Sequence, residues 1–278
     1  MSSPSERWRA VDGSDDAASF VRFLDRTSTG PGEAYPALNL LELAPGRRCL
    51  DVGCGLGADA RSIAEATGAS VLGVDLSVRL MREAHARATD CPGLSFAVAD
   101  GARLPLPDAT FDAASVKRTF MHLLDSERVM GEMARVVRPG GRIVAVEPDS
   151  EILLLDSGLV DVTRRVLAFR AAGYANPWSG RQLRRLMRGA GLVDVQMELR
   201  PHDEPGLAVA DRRLHLLGVA RAAEEKGLIS AEEARAWAAD LDDRDRRGEF
   251  TCVLLLVVAA GRVPAARPPP LMRSPARR

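Results

Sequence analysis

Lysine is almost missing from this chain of 278 residues, because only two of its 38 basic residues, Lys117 and Lys226, are lysines. Net charge is missing altogether, since 38 acidic residues balance the basic ones. A neutral chain has no overall attraction to nucleic acid or to an anionic membrane surface. We therefore expect neither of them as a partner.

Cysteine and histidine are scarce, with four residues of each type. The cysteines form no C-x-x-C pair and no cluster with histidine, whereas a structural zinc site needs four ligands that converge. The sequence therefore predicts no metal site. Reduced thiols of this kind are typical of a cytoplasmic protein.

Long apolar runs are also absent. The longest run, Cys252–Ala260, has nine residues, whereas a membrane-spanning helix needs about 20. The first residues contain no apolar segment of the kind that directs secretion. With 46% hydrophobic and 27% charged residues, the composition is that of a globular protein. We expect a cytoplasmic protein with no membrane contact.

What the chain does contain, from about residue 47, is an alternation of short apolar runs with segments of helical periodicity. Strands are predicted at Arg48–Val52, Val71–Val74, Leu94–Val98, Phe111–Val116, Arg142–Glu147, Val193–Leu199 and Cys252–Ala260. Helices are predicted at Ala58–Thr67, Ser77–Thr89 and Ser126–Arg138. This order is typical of an α/β protein whose mostly parallel, doubly wound, Rossmann-like sheet has helices on both faces.

The domain boundaries follow from composition. Residues 1–14 are expected to be a flexible N-terminus, and 15–261 to form one domain. Within that domain, the spacing over 15–43 predicts two helices. The Pro-rich, basic residues 262–278 are expected to be a disordered tail.

Two segments, 148–191 and 200–250, are longer than ordinary connections between strands. Helix signals in them include two predicted capping boxes, Ser179 with Gln182 and Ser230 with Glu233. An apolar stripe on a further predicted helix comprises Leu207, Ala210, Leu214 and Leu217. We expect both segments to be helical insertions that act as a lid over an apolar ligand, and a role in a homodimer interface stays open.

The segment after the first predicted strand is rich in glycine. Gly53, Gly55 and Gly57 allow a tight turn into a helix, where backbone amides can approach a ligand. The same spacing suits a nicotinamide-dinucleotide enzyme. However, the loop of such enzymes usually lies near the start of the chain, whereas this one follows a helical N-terminal segment.

Acidic residues follow the next two predicted strands. Asp75 ends the second strand, where a carboxylate can accept hydrogen bonds from ribose hydroxyls. Asp100, followed by Gly101 and Ala102, comes after the third strand and is placed to receive an adenine amino group. Each Asp alone suits a helix cap or a turn, but ligands bind at this edge of an open parallel sheet.

Four stretches of the chain, with these residues, resemble the class I S-adenosylmethionine-dependent methyltransferases of the methyltransferase-11 type. The stretches are LDVGCGLG (50–57), VLGVDLS (71–77), FAVADGARLPLPDATFD (96–112) and MARVVRPGGRIVAVEPD (133–149). The resemblance implies a seven-stranded sheet whose last strand is antiparallel. It also implies S-adenosylmethionine as the cofactor.

The resemblance assigns roles around that cofactor. The glycines of the turn would shape the methionine pocket, and Asp75 would bind the ribose, with Leu76 beside the adenine. Asp100, Gly101 and Ala102 would frame the adenine. Arg118, after the fourth strand, would pass close to the methionine part of the cofactor and the transferable methyl.

The predicted reaction needs a base near the methyl group. His122 lies just beyond the fourth strand, and some natural-product O-methyltransferases of this type resemble the chain here, so His122 is the leading candidate. Glu147, at the end of the fifth strand, would face the same cleft and orient the imidazole or accept a second proton; Asp149 and His215 are weaker candidates. We expect the rate to fall as the pH drops through the imidazole titration.

No motif identifies the acceptor. Because no nucleic-acid motif is present, we expect a small hydrophobic molecule, methylated at oxygen rather than nitrogen or carbon. Two alternatives remain. One is a protein of the same fold that binds the cofactor but catalyses another tailoring step such as a cyclisation. The other is a non-enzymatic binding or regulatory subunit.

Overall fold

The computed structural model describes Val21, Leu24, Tyr35 and residues 37–265. Its centre is a seven-stranded sheet in the order β3-β2-β1-β4-β5-β7-β6. The strands are β1 (Arg48–Val52), β2 (Ser70–Asp75), β3 (Leu94–Val98), β4 (Phe111–Lys117), β5 (Val137–Leu155), β6 (Val193–Asp203) and β7 (Cys252–Arg262). The chain order reverses between β1 and β4, and in open α/β sheets such a reversal marks the ligand crevice.

The pairing confirms the predicted fold. Strands β1 to β5 pair in parallel, and β7 is antiparallel to both β5 and β6. Six strands therefore run in one direction and β7 runs in the other. The carboxyl ends of β1, β2, β3 and β4 consequently meet at one edge of the sheet.

Residues 37–265 contain eight α-helices. They are α1 (Ala58–Thr67), α2 (Val78–Arg87), α3 (Ser126–Val136), α4 (Val160–Ala172), α5 (Ser179–Gly189), α6 (Leu207–Leu214), α7 (Leu216–Glu225) and α8 (Ala231–Arg246). Helices α1 and α2 pack on one face of the sheet around Ile63 and Leu80. Helices α3 and α5 pack on the other face around Met130 and Leu183.

A third hydrophobic cluster lies beyond the end of the sheet. It joins α4, α6, α7 and α8 to the far ends of β5 and β7. Its centre is Trp237, which is 0% exposed and donates a hydrogen bond from Nε1 to Thr163 Oγ1 at 2.8 Å. The two long segments thus build a helical cap with its own core, which we call the cap cluster.

Strand β5 is much longer than the predicted Arg142–Glu147. Its second half pairs with the start of β7, from Leu153 opposite Leu254 to Leu155 opposite Cys252, after a break in register at Pro148. The proline and the polar residues after it gave no strand pattern. They extend the sheet because β7 supplies partners for their backbone groups.

Two predictions about helix ends are corrected. Ser179 is not an N-cap: Trp178 holds that position, and the Ser179 hydroxyl donates to Glu147 instead. The predicted apolar stripe does not lie on one helix, because His215, with φ of 56°, separates α6 from α7. The capping box of Ser230 with Glu233 is confirmed.

The predicted termini lie mostly outside the described residues. These include the flexible 1–14 and most of the two helices over 15–43, of which Leu38–Leu41 forms a short 3₁₀-helix. At the other end, β7 continues through Arg262 and Val263 is buried, so ordered structure extends past the predicted domain boundary at residue 261. Residues 266–278 are not described.

Candidate active site

The glycine-rich turn between β1 and α1 adopts a left-handed backbone conformation that glycine permits. Gly53, Gly55 and Gly57 all have positive φ, a conformation that costs residues with a Cβ energy. A Cβ on Gly53 would lie 2.4 Å from Thr119 Oγ1, and one on Gly57 would lie 2.3 Å from Phe96 Cζ. A Cβ on Gly55 would meet no atom closer than 3.7 Å. The turn therefore packs tightly at both ends and leaves space at its middle.

Asp75, at the end of β2, faces this turn. Its Oδ2 accepts a hydrogen bond from the Gly55 amide at 3.1 Å, and its Oδ1 accepts one from the Ser77 amide at 3.0 Å. These two bonds orient the carboxylate at the edge of the sheet where ligands of open α/β sheets bind. The neighbouring Leu76 is 50% exposed and presents an apolar surface at the same edge.

The loop after β3 places a second carboxylate on this edge. Asp100 is exposed, and its Oδ1 accepts a hydrogen bond from the Ala102 amide at 2.9 Å. The Ala102 carbonyl accepts a hydrogen bond from Arg128 Nε at 2.9 Å, which ties the loop to α3. A Cβ on Gly101 would lie 3.0 Å from Val52 Cγ1, so the loop runs close against the core.

Three neighbouring strand ends thus bring together an open glycine turn, an oriented carboxylate, an exposed apolar side chain and an exposed carboxylate. These groups match the parts of an adenosyl ligand: a backbone cradle, a ribose acceptor, and a surface and a polar group for the adenine. The residues present therefore fit S-adenosylmethionine. Across the described residues, no group of three or more His, Cys, Asp or Glu side chains could hold a metal ion.

Glu147 organises the turn that follows β4. Its carboxylate is 0% exposed and accepts four hydrogen bonds, at 2.7–3.2 Å, from the amides of Thr119, Phe120 and Met121 and the hydroxyl of Ser179. Burial raises the pKa of Glu147 to about 7, against the lowering effect of these bonds. Glu147 does not line an open cleft as predicted; it fixes the turn that carries His122.

His122 ends that turn, as the last residue of a short 3₁₀-helix. Its ring centroid lies 5.8 Å from that of Tyr174, from the segment between α4 and α5. Burial lowers the pKa of His122 to about 3, and the positive charge of Arg118 contributes to that lowering. The imidazole is therefore neutral at physiological pH. Arg118, the residue after β4, lies in the left-handed region, with φ of 53°.

The weaker candidates lie elsewhere. Asp149 is 1% exposed and forms a two-pronged ion pair with Arg181, at 2.5 and 2.6 Å. His215 occupies the junction of α6 and α7, in the helical cap. The ion pair ties Asp149 to α5.

Sequence reasoning assigned no role to Asp51, which lies in β1 two residues before Gly53. Asp51 is 2% exposed; its Oδ1 accepts a hydrogen bond from Ser115 Oγ at 2.5 Å, and its Oδ2 accepts none from the described part of the chain. Burial and the nearby Asp59 raise the pKa of Asp51 to about 7. The signal was present, because an acidic residue in an otherwise apolar strand needs an explanation.

A groove of about 360 Å³ opens one residue beyond His122. It lies between the start of α3 and the segment that leads into α5. Its apolar lining includes Leu124 and Trp178, which are 84% and 46% exposed. Among the described residues, no helix has both the length and the apolar character needed to cross a membrane.

Comparison with known proteins identifies the family. A family model described as a methyltransferase domain matches residues 50–145. Methyltransferase GfsG of Streptomyces halstedii is 33% identical over 223 residues, which cover 75% of this chain and 73% of that protein. An O-methyltransferase of Pyrenophora dematioidea is 30% identical over 180 residues, covering 63% of this chain and 66% of its own.

The fold comparison agrees. A phosphoethanolamine N-methyltransferase 2 of Haemonchus contortus, solved with phosphomonomethylethanolamine and S-adenosylhomocysteine, superposes with a TM-score of 0.59 at 18% identity, over 95% of this chain and 61% of that one. This likeness concerns the fold, and the sequence relatives add the activity. The chain belongs to the class I S-adenosylmethionine-dependent methyltransferases.

Proposed function

We propose that this enzyme methylates an oxygen atom of a small-molecule acceptor, with His122 as the general base. The observation that carries the proposal is the position of a neutral imidazole on a turn that Glu147 holds by hydrogen bonds, one residue from a groove lined by polar and apolar side chains. The Pyrenophora relative, named an O-methyltransferase, supports oxygen as the target. A cytoplasmic location and a homodimer stay predictions.

The chain's own residues would divide the work. When bound, S-adenosylmethionine supplies an electrophilic methyl group on a sulfonium. The glycine turn and Asp75 would hold the adenosyl part, and Asp51 is the candidate counter-charge for the cofactor's ammonium group. The groove would orient the acceptor through its apolar and polar side chains. The acceptor hydroxyl would pass its proton to a nitrogen of His122 as its oxygen takes the methyl group and S-adenosylhomocysteine leaves.

The low pKa of His122 bears on the acceptor's chemistry. An imidazole whose pKa is about 3 is a weak base, so it suits an acidic hydroxyl, such as a phenol or an enol, better than an aliphatic alcohol. The low pKa of His122 also changes the pH dependence of the rate that we expect. Since the ring stays neutral well below neutral pH, we no longer expect an activity loss near the ordinary imidazole pKa.

The test compares His122→Ala with His85→Ala, which removes an exposed histidine from α2. Formation of S-adenosylhomocysteine from candidate acceptors gives the turnover, and calorimetry with S-adenosylhomocysteine gives the cofactor affinity. We expect His122→Ala to lower turnover by about 10²–10⁴-fold, or by about tenfold for an already acidic phenol, because base assistance is worth that much. Cofactor affinity should stay within about twofold.

Other outcomes count against the proposal. Near-normal turnover of the variant would remove His122 as the base and leave positioning as the main catalytic device. Equal losses of turnover and cofactor affinity would place His122 in the cofactor pocket. Cofactor binding by the wild type without S-adenosylhomocysteine formation from any acceptor would favour a non-methyl-transfer reaction.

A further inference from the structure

Tyr174 connects the candidate base to the helical cap. It lies two residues after α4, on the segment that leads into α5, and its side chain is half-buried. Its ring centroid lies 5.8 Å from that of His122, with 59° between the planes of the two rings. Aromatic rings at such a distance attract each other through their edges and faces. The contact therefore restricts the directions in which the imidazole can point.

Backbone hydrogen bonds hold the two segments that carry these rings. The Asn176 amide donates to the Met121 carbonyl at 3.0 Å, next to His122. The Tyr174 amide donates to the Ala171 carbonyl at 3.1 Å, which continues the last turn of α4. Because the backbone is tied on both sides, the ring contact belongs to the fold and does not depend on two loose side chains.

Arg170, in the last turn of α4, holds the Tyr174 ring in place. Its Nη2 donates a hydrogen bond to the Tyr174 hydroxyl at 3.3 Å, and its guanidinium carbon lies 5.5 Å from the centroid of the ring. Its Nε donates to the carbonyl of Leu214, the last residue of α6, at 3.3 Å. A cation at the ring and a hydrogen bond to the hydroxyl together fix the orientation of the tyrosine.

These contacts form a continuous path from α6 to the candidate base. The path runs from the Leu214 carbonyl through Arg170 and Tyr174 to His122. Helices α4 and α6 both contribute to the cap cluster, whereas His122 lies on the turn after β4. A base needs a fixed direction toward the proton that it takes, because a misplacement of about 1 Å can cost about 10²-fold in rate.

We propose that Tyr174 is a positioning residue for His122, which holds the imidazole in the direction in which it accepts the proton of the acceptor. The inference rests on the proposed function and adds a residue to its machinery. Tyr174 takes no proton itself. Since the Leu214 carbonyl holds Arg170, the alignment of the base depends on the packing of α4 beside α6.

The first measurement needs no acceptor. Protein with ¹³C-labelled histidine rings is saturated with S-adenosylhomocysteine, and NMR relaxation gives an order parameter for each ring. The chain has four histidines, and His122→Ala identifies the signal of His122. We compare the wild type with Tyr174→Leu, Tyr174→Phe and Arg170→Met. The control is Arg164→Met, which removes an exposed arginine from the same helix.

We expect the order parameter of the His122 ring to be about 0.85 in the wild type and to fall below about 0.6 in Tyr174→Leu, the values of rigid and flexible groups. Tyr174→Phe, which keeps the ring, should match the wild type. Arg170→Met should give an intermediate value, because the tyrosine then loses both its hydrogen bond and its cation. The control, and the signal of the exposed His85 in every variant, should not change.

The second measurement separates positioning from a structural role. It is a double-mutant cycle of Tyr174→Leu and His122→Ala on the methylation of 2-naphthol, a phenolic hydroxyl on an apolar ring system. We expect Tyr174→Leu to lower kcat by about tenfold or more in the wild type but by less than about twofold in His122→Ala, because a residue that acts through the base has no effect without it. Tyr174→Phe should restore kcat, and the affinity for S-adenosylhomocysteine should stay within about twofold.

Three results would overturn the inference. The first is a His122 ring that is already flexible in the wild type, and the second is a ring whose order Tyr174→Leu leaves unchanged. The third is a loss of kcat that is as large in His122→Ala as in the wild type, which would show that Tyr174 has a structural role only. If Tyr174→Leu does not fold, Arg170→Met takes its place in both measurements.

Failure of the proposed function gives a different result. A His122→Ala variant that methylates 2-naphthol at the rate of the wild type would remove the base, and with it the role of Tyr174, whatever the order of the ring. A rigid ring in the wild type that Tyr174→Leu does not loosen would overturn this inference alone. If 2-naphthol is not methylated, the order parameters decide, because they do not depend on the acceptor.

Discussion

Asp75 is held in place by two backbone amides beside the glycine turn. Its two backbone bonds orient the carboxylate toward the glycine turn, where charge-assisted bonds to ribose hydroxyls are worth roughly 1.5–3 kcal/mol each before water compensates. We expect Asp75→Ala to weaken S-adenosylhomocysteine binding by about tenfold or more in calorimetry. Asp90→Ala, which removes a 76% exposed carboxylate, is the control. An affinity within about twofold of the wild type would contradict the assignment.

Glu147 makes the free energy of unfolding depend on pH. Because burial raises its pKa from 4.5 to about 7, the folded state holds its proton over that interval while the unfolded state releases it. The stabilising contribution of Glu147 is therefore complete below pH 4.5 and is lost as the pH rises through about 7. His122 acts in the opposite direction, since its pKa falls from 6.5 to about 3. Comparison with a variant separates the two residues.

Glu147→Gln should remove this pH dependence. We expect the free energy of unfolding of the wild type, relative to the variant, to decrease by about 1–3 kcal/mol between about pH 5 and 8, because a buried ionised carboxylate is costly. Urea denaturation at several pH values measures this difference. Glu249→Gln, at a side chain that is 55% exposed, is the control. A difference that does not change with pH would show that the carboxylate is ionised throughout.

At the scale of elements, two glycines provide a matched pair. Gly57 precedes α1 with φ of 81°, and a Cβ there would lie 2.3 Å from Phe96 Cζ. Gly131 lies within α3, and a Cβ there would meet nothing within 4 Å. We expect Gly57→Ala to lower the free energy of unfolding by about 2–4 kcal/mol, from backbone strain and overpacking. Gly131→Ala should raise it by about 0.5–1 kcal/mol, since alanine favours a helix.

Thermal or urea unfolding of both variants measures this contrast. If Gly57→Ala is as stable as Gly131→Ala, the turn does not need its left-handed backbone. The cofactor affinity of Gly57→Ala should fall as well, whereas that of Gly131→Ala should not change.

Elements that depend on local signals were predictable, and those that depend on distant partners were not. Strands β1 and β3 and helix α1 were predicted to the residue, because short apolar runs and helical spacing are local properties. The far half of β5 was missed because its stability comes from β7, about 100 residues later along the chain. The prediction that Ser179 is an N-cap was wrong for a similar reason. Its hydroxyl donates a hydrogen bond to the buried carboxylate of Glu147, which lies in another element.

The candidate site likewise contains residues that local sequence signals predict and residues that depend on distant partners. The proposed cofactor residues follow strand ends, which the local sequence pattern places at one edge of the sheet, and the family resemblance supplied their roles. The contact between the rings of His122 and Tyr174 joins two distant segments, and no periodicity connects residues so far apart in the chain. The prediction that Glu147 faces the cleft was wrong, because its carboxylate is buried by the groups that donate hydrogen bonds to it. Those donors come from other segments of the chain, so the sequence around Glu147 does not reveal them.

At the scale of the whole molecule, we keep the prediction that the helical cap acts as a lid that responds to the acceptor. Hydrogen exchange should slow in α4 and in α6 to α8 when acceptor and S-adenosylhomocysteine are both present. S-adenosylhomocysteine alone should protect mainly the glycine turn and the loops after β2 and β3. Unchanged protection of the cap in the ternary mixture would favour a purely structural or dimer-forming segment.

The cap cluster has a consequence for how such enzymes diversify. Its buried members, centred on Trp237, occur in neither of the two clusters that pack against the sheet. Mutations that reshape the cap therefore leave the packing beneath the glycine turn intact. We therefore expect the cap to tolerate substitutions that suit different acceptors while the residues that fit the cofactor are kept.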